Sequence, residues 1–190
     1  VKQLRQFIRN VLLEKIHKED FEDVMQTAQL AHMGQVRRDG SPYITHPMEV
    51  MEITKRHYPE NYAAQLLALL HDVIEDGPSA ELTEEELRQM IRGSITDPSE
   101  LDKIEVALDM MTHDKNELPN YEDYLRRVFS DPLSSIVKLS DLIHNLLNNP
   151  SERQIIKYKT ALSNVPIPKH LKQSQVTELM GILNADATTR

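Results

Sequence analysis

Three features of the 190-residue sequence predict an all-α fold. Apolar residues recur at spacings of three and four along almost the whole chain, and no period-two alternation survives. Glycine is sparse, with 5 residues, and tryptophan is absent, against many Leu, Ile, Met, Glu and Lys. The periodic stretches are separated by short Pro, Gly or Asn punctuation, with no low-complexity tract and no internal repeat. Together these predict a single domain over residues 1–190, built as a bundle of about nine or ten helices.

Leu4, Phe7, Ile8, Val11, Leu12 and Ile16 follow helical spacing in the first segment. Phe21, Val24, Met25, Ala28 and Ala31 do so in a second, which runs out near Arg37. Residues 38–45 (RDGSPYIT) form a turn, and Pro47 suits the first turn of a third helix reaching Arg56. After Tyr58-Pro59, residues 60–76 are apolar on nearly every side, which predicts a central buried helix ended by Gly77-Pro78. Thr83 and Glu86 have capping-box spacing and open a helix through Ile91 that stops at Gly93. Asp97-Pro98 opens the next, carrying Leu101, Ile104, Leu108 and Met111. A shorter helix covers about 120–130; Asp131-Pro132 starts one through Leu147, and Pro150 leads another through Leu162. A last helix over 166–185 places Leu171, Val176, Leu179 and Ile182 at packing positions.

Zero cysteine excludes disulfides, thiolate metal sites and a cysteine nucleophile. No apolar run approaches 18 residues, and the N-terminus lacks the apolar core of a signal peptide, so the expected location is the cytoplasm, with no membrane partner. Thirty acidic and 22 basic residues set a formal charge of −8, which argues against a nucleic-acid partner. A phosphate substrate would then need a local basic cluster or a metal. Met and Leu on amphipathic helices serve cores and dimer faces alike, so a homo-oligomer stays open.

The chemistry concentrates in His71-Asp72-Val73-Ile74-Glu75-Asp76. On one helix, His71 and Glu75, and likewise Asp72 and Asp76, are four apart and share a side. Three carboxylates at a helix C-terminus oppose its dipole and emerge from the most apolar helix of the chain. They could reach solvent beside Gly77, or they could surround something positive. Asp141 favours the second, because it shares the core-facing stripe of Leu133, Ile136, Val137, Ser140, His144 and Leu147. Asn145 lies one turn further on. His46, held extended before Pro47 at a helix entrance, could complete the set. Two imidazoles and two carboxylates suit Mn, Fe or Zn better than Ca. Glu75 and Asp76 could then orient a water and take its proton.

His46, the His71-Asp72 doublet and Asp141 resemble the H…HD…D signature of HD-domain metal-dependent phosphohydrolases. The surroundings are narrower: AHMGQVRRDGSPYITHPME, LLALLHDVIEDG and SIVKLSDLIHN resemble, in order, three motifs of the RelA/SpoT hydrolase domain over about residues 22–165. The resemblance extends to small alarmone hydrolases akin to the metazoan SpoT homologues. It implies an HD-domain bundle, with 166–185 accessory, and one Mn²⁺ per chain held by His46, His71, Asp72 and Asp141. It implies Glu75 and Asp76 as the water-activating residues. The reaction implied is removal of the 3′-pyrophosphate of ppGpp or pppGpp, leaving GDP or GTP. Arg37 would lie against guanine and Asn145 near the scissile group; Arg38 and Lys138 would meet phosphates, and Arg153, Lys157 and Tyr158 would form the far wall.

Two departures bear on the substrate. Leu142 stands where the large alarmone enzymes usually carry Arg, and DMMTHDKNELPNYEDYLRRV replaces the Gly-Val-Thr-Lys-Leu stretch, leaving Thr112, His113, Lys115, Tyr121 and Tyr124 there. The alternatives are another phosphorylated nucleotide such as NADPH, and a nucleotide-binding HD module that does not turn its ligand over. Intact Glu75-Asp76 argues against the second.

Overall fold

A computed structural model describes residues 2–77, 82–114 and 117–188. Pro78 and Lys115 lie outside the described residues, as do the side chains of Leu4, Phe7 and Ile8. The described residues form ten helices: α1 (Lys2–Ala31), α2 (Thr45–His57), α3 (Tyr62–Leu70), α4 (Val73–Asp76), α5 (Glu84–Ser94), α6 (Pro98–Met111), α7 (Tyr121–Ser130), α8 (Pro132–Leu147), α9 (Glu152–Asn164) and α10 (Gln173–Thr188). Among them the only β-pairing is an isolated bridge between Val36 and Pro42. The all-α expectation is met.

Several helix starts follow from local chemistry. Thr83 and Glu86 make the reciprocal capping box at α5 that their spacing predicts. Asp97 and Asp131, each before a proline, accept backbone N–H bonds at the starts of α6 and α8. At α9 the start is set by a second capping box, Ser151 with Gln154, rather than by Pro150 itself.

The core is centred on α3, in which Ala63 through Leu70 are all buried. A helix this apolar on every side is stable only when enclosed. Helices α1, α2, α6 and α8 pack around it. Helix α10 braces α8 from outside: Leu179 and Leu183 are buried, and Gln175 Nε2 donates to the Ile136 carbonyl and to Ser140 Oγ. The segment read as accessory therefore supports the helix that carries Asp141.

Four boundaries differ from the sequence reading, one being the last helix, which begins at Gln173 rather than 166 and leaves Leu171 before it. The first two segments are one 30-residue helix that ends at Ala31, not near Arg37. Helix α2 begins at Thr45, so His46 is helical rather than extended. The helix expected over 60–76 stops at Leu70; a turn at His71-Asp72 separates it from the single turn of α4. Glycine at 77 lets that turn close, because a side chain there would collide with the Val73 carbonyl oxygen.

Candidate active site

The turn after α3 re-aims the chain where it leaves the core. His71 stays buried and donates from Nδ1 to the Ala68 carbonyl at 2.8 Å, which leaves the Nε2 lone pair facing outward. His46 arrives from the first turn of α2, with its Nε2 3.2 Å from His71 Nε2. Asp72 Oδ2 lies 3.3 Å from His46 Nε2 and 3.2 Å from His71 Nε2. From α8, Asp141 Oδ1 stands 3.3 Å from His46 Nε2 and 3.8 Å from His71 Nε2. Among the described residues, His46, His71 and Asp72 satisfy the spacing of a metal-ligand group, and Asp141 adjoins them. Neighbouring ligands at about 2.1 Å from one ion are about 3 Å apart, so the donor set fits a cation.

Electrostatics agree with the geometry. Burial disfavours a charged His46, yet the carboxylates of Asp141 and Asp72 outweigh it and raise the imidazole to about 9. Burial would raise both carboxyls, but the His71 and His46 imidazoles hold Asp72 well below the usual carboxylate range. Lys138 and His46 do the same for Asp141. Carboxylates held ionised this firmly are ready cation ligands.

Each donor has a supporting partner. Lys138 Nζ donates to Asp141 Oδ2 at 2.9 Å, and Asn145 Nδ2 to Asp141 Oδ1 at 2.6 Å. The Tyr43 hydroxyl donates to Asp72 Oδ2 at 2.7 Å and to Asp76 Oδ2 at 3.2 Å. Burial and then the Asp72 charge push that phenol far up, so it remains a donor throughout the working pH range. His46 Nδ1 is 2.8 Å from His144 Nδ1, and His144 Nε2 is 2.5 Å from Glu49 Oε2. One proton assignment satisfies the run: His46 donates to His144, and His144 donates to Glu49. Burial and then His46 lower the His144 pKa, which keeps that ring neutral for the role.

Glu75 and Asp76 stand beside this cluster on α4. Glu75 Oε2 accepts from the His113 backbone N–H at 3.0 Å. Burial, followed for Asp76 by the Asp72 charge, raises both carboxyls above their ordinary values. Raised carboxyls next to a cation-binding cluster take up a proton more readily than exposed ones, which suits them to proton transfer. Because α4 follows a turn, the two acids occupy a helix first turn rather than the last turn of a long helix.

The four ligand candidates, Glu75 and Asp76 open into one cavity of about 320 Å³. Its wall includes Arg37, Lys138, Asn145, Lys157, Tyr158 and His113 as well as those six residues. Arg37 Nη1 is 3.3 Å from His144 Nε2, and the Val36–Pro42 bridge holds its loop over the site. Lys138 faces the cavity, although Asp141 already holds its ammonium group; the Tyr124 ring is 5.2 Å away. Tyr121, Tyr124 and Tyr158 form an aromatic wall with His113, and Lys157 Nζ lies 3.9 Å over the Tyr121 ring. The Tyr121 hydroxyl, on that wall, is buried without a hydrogen-bond partner. Arg38 and Arg153 are exposed and not brought to the cavity wall. Leu142, at the departure from the RelA/SpoT pattern, is packed in the core.

The sequence reading assigned no role to Tyr43, Glu49 or to His144 as a partner of His46. A signal for two of them exists: His46 and Glu49 are three apart on α2, as are Asp141 and His144 on α8, so each shares a helix face with a ligand candidate.

A helical bundle with a candidate metal centre in a polar cleft is the class that the fold and site define. The chain belongs to the HD-domain family, whose model matches residues 25–165. It is 32% identical over 149 residues to the guanosine-3′,5′-bis(diphosphate) 3′-pyrophosphohydrolase of Haemophilus influenzae, covering 74% of this chain and 21% of that protein. It is also 32% identical over 151 residues to the bifunctional (p)ppGpp synthase/hydrolase SpoT of Escherichia coli, covering 74% of this chain and 20% of that protein. A probable GTP pyrophosphokinase of Mycobacterium leprae is 26% identical over 177 residues, 86% of this chain and 22% of that protein. The chain thus spans about a fifth of the length of these relatives.

Proposed function

We propose that this chain hydrolyses the 3′-pyrophosphate of ppGpp and pppGpp, giving GDP or GTP plus pyrophosphate, with one Mn²⁺ per chain as its bound ion. The observation that carries the reading is the placement of Glu75 and Asp76, both with raised carboxyl pKa, beside His46, His71, Asp72 and Asp141 in one cavity. A module that only holds a nucleotide has no need of such acids. The names of two relatives support the substrate class.

His46, His71, Asp72 and Asp141 would hold the ion, which supplies Lewis-acid polarisation of a phosphoryl oxygen. Glu75 and Asp76 orient the attacking water and take its proton. Water adds to the phosphorus bonded to the 3′-oxygen, that P–O bond breaks, and the 3′-oxygen leaves with a proton. Arg37 lies against the guanine and Asn145 approaches the scissile group. Lys138 and Lys157 meet phosphate charge, and Tyr158 closes the far wall. Arg38 and Arg153 have no part in this arrangement. In a protein with a formal charge of −8, such local cations counter the overall repulsion of a polyanionic substrate.

The test is release of phosphate and pyrophosphate by Mn²⁺-loaded protein with ppGpp, pppGpp and NADPH in parallel. Pyrophosphate with GDP from ppGpp, lost in Glu75→Ala, is the expected result. Inorganic phosphate from NADPH alone would move the substrate, and equal activity of Glu75→Ala would remove that residue from the mechanism.

A further inference from the structure

Away from the active site, α1 divides into two unequal halves. From His17 onward it is tied to the body: the His17 ring stacks on Tyr62 at 3.9 Å, and Asp20 accepts from both the N–H and the hydroxyl of Thr96. Val24, Ala28 and Ala31 are buried. Before His17 the apolar stripe continues, but Val11 and Leu12 are 47% and 54% exposed. A helical half of about 15 residues is marginal in water by itself, so this stripe calls for a cover. Its charge is distinctive, with five basic residues to one acidic over residues 2–18 of an acidic chain.

Beside that half lies a groove of about 1290 Å³, bounded by α1, the turn between α2 and α3, the start of α6 and the start of α8. Leu13, Ile16, Leu133 and Ile136 contribute apolar surface. Its rim carries Glu60, Asp97, Glu100, Asp102 and Asp131, against Lys103 and Lys172, while Asp20 lies buried beneath it. A basic helix with an apolar stripe and an acid-rimmed apolar groove, adjacent on one molecule, are complementary between two molecules.

We infer that the groove receives the N-terminal half of α1 from a second copy of this chain. The two helices lie antiparallel across a two-fold axis near Leu13 and Ile16. Each copy then gives a basic helix and takes one, the self-complementary arrangement of an isologous dimer. At 1.5 Å per residue, residues 2–13 reach about 17 Å beyond the axis, which runs this basic half of the helix along the partner's acidic rim. The groove shares no wall residue with the active-site cavity, so the pairing leaves that cavity open.

The test is sedimentation equilibrium on the full chain and on two charge-reversed variants, Arg5→Glu/Arg9→Glu and Glu60→Lys/Asp102→Lys. None of the four residues caps a helix or lines the active site. The expected result is a dimer whose dissociation constant rises at least tenfold in either variant, and whose affinity falls with added salt. Mixing the two variants restores a heterodimer, because both halves of its interface again pair opposite charges. Helicity and turnover stay at the level of the unaltered chain. A monomeric parent chain, dimers that persist in both variants, or a mixture that stays monomeric would each overturn the proposal. Binding of a basic amphipathic peptide by a monomeric parent would keep the groove as a docking site but reject the second copy as its occupant.

Discussion

The cleft between α2, α3–α4 and α8 and the groove beside the front half of α1 dispose of charge in opposite ways. In the cleft, charges are buried and almost every polar atom has a partner: Lys138 and Asn145 on Asp141, Tyr43 on Asp72, His144 on His46. Such a network is costly to assemble and rigid once complete. What its donors leave over is aimed at one point among four ligand atoms. In the groove the charges sit on an exposed rim, and what is left over is apolar surface. Unspent lone pairs around a point call for a cation, and unspent apolar area beside a mainly acidic rim calls for a protein surface. Substitutions in the first region should therefore act on chemistry, and in the second on association alone.

Asp72→Ala should break that contrast most severely, abolishing both metal binding and turnover and lowering the melting temperature of the metal-loaded protein. Metal content by elemental analysis checks it, and an undiminished content would remove Asp72 from the ligand set. Glu75→Gln should keep the metal and lower kcat by about 10²–10⁴-fold, as expected for a lost general base. Because Glu75 and Asp76 must be ionised to accept a proton and burial raises both, activity should be retained above their raised pKa values. It should be lost as pH falls through them, at a higher pH than an exposed carboxylate of about 4.3 would give. An acid limb of the metal-saturated enzyme at ordinary carboxylate pH would count against these acids as the base.

His144→Phe sharpens the comparison inside the cleft. With the His46 ring no longer held by its Nδ1 partner, metal affinity should fall about 10–100-fold in a competitive titration, while helicity is kept. Unchanged affinity would mean that His46 is oriented by packing alone. The smallest effect belongs to Leu12→Ser: stability within about 0.5 kcal/mol, unchanged turnover, and a response only in sedimentation. By contrast, Leu70→Ala, fully buried on α3 just before His71, should cost about 2–5 kcal/mol in a denaturant titration.

Much of this was legible in the chain itself. The helix-forming composition, the proline and capping signals at α5, α6 and α8, and the 63–70 stretch, apolar but for Gln65, are local properties that survive into the fold. His46, His71, Asp72 and Asp141 were nameable because acids on apolar stripes demand an explanation, and because their order resembles a known motif. Less visible was the turn at His71-Asp72, since the 3.6-residue period runs on through it. Also less visible was the exposure of Val11 and Leu12, because a stripe reports only that an element has an apolar face.

The amino-acid sequence by itself determined the elements: which segments are helical, where most begin, and which side chains are chemically able to hold a cation or move a proton. Those follow from interactions over three or four residues, which any reader of the chain can count. Only the tertiary structure decided that His144 and Glu49 back His46, and that Arg38 and Arg153 are exposed outside the cavity wall. The His46–His144 and His144–Glu49 contacts join residues about a hundred positions apart, and local spacing carries no record of which helix faces meet once the core has closed.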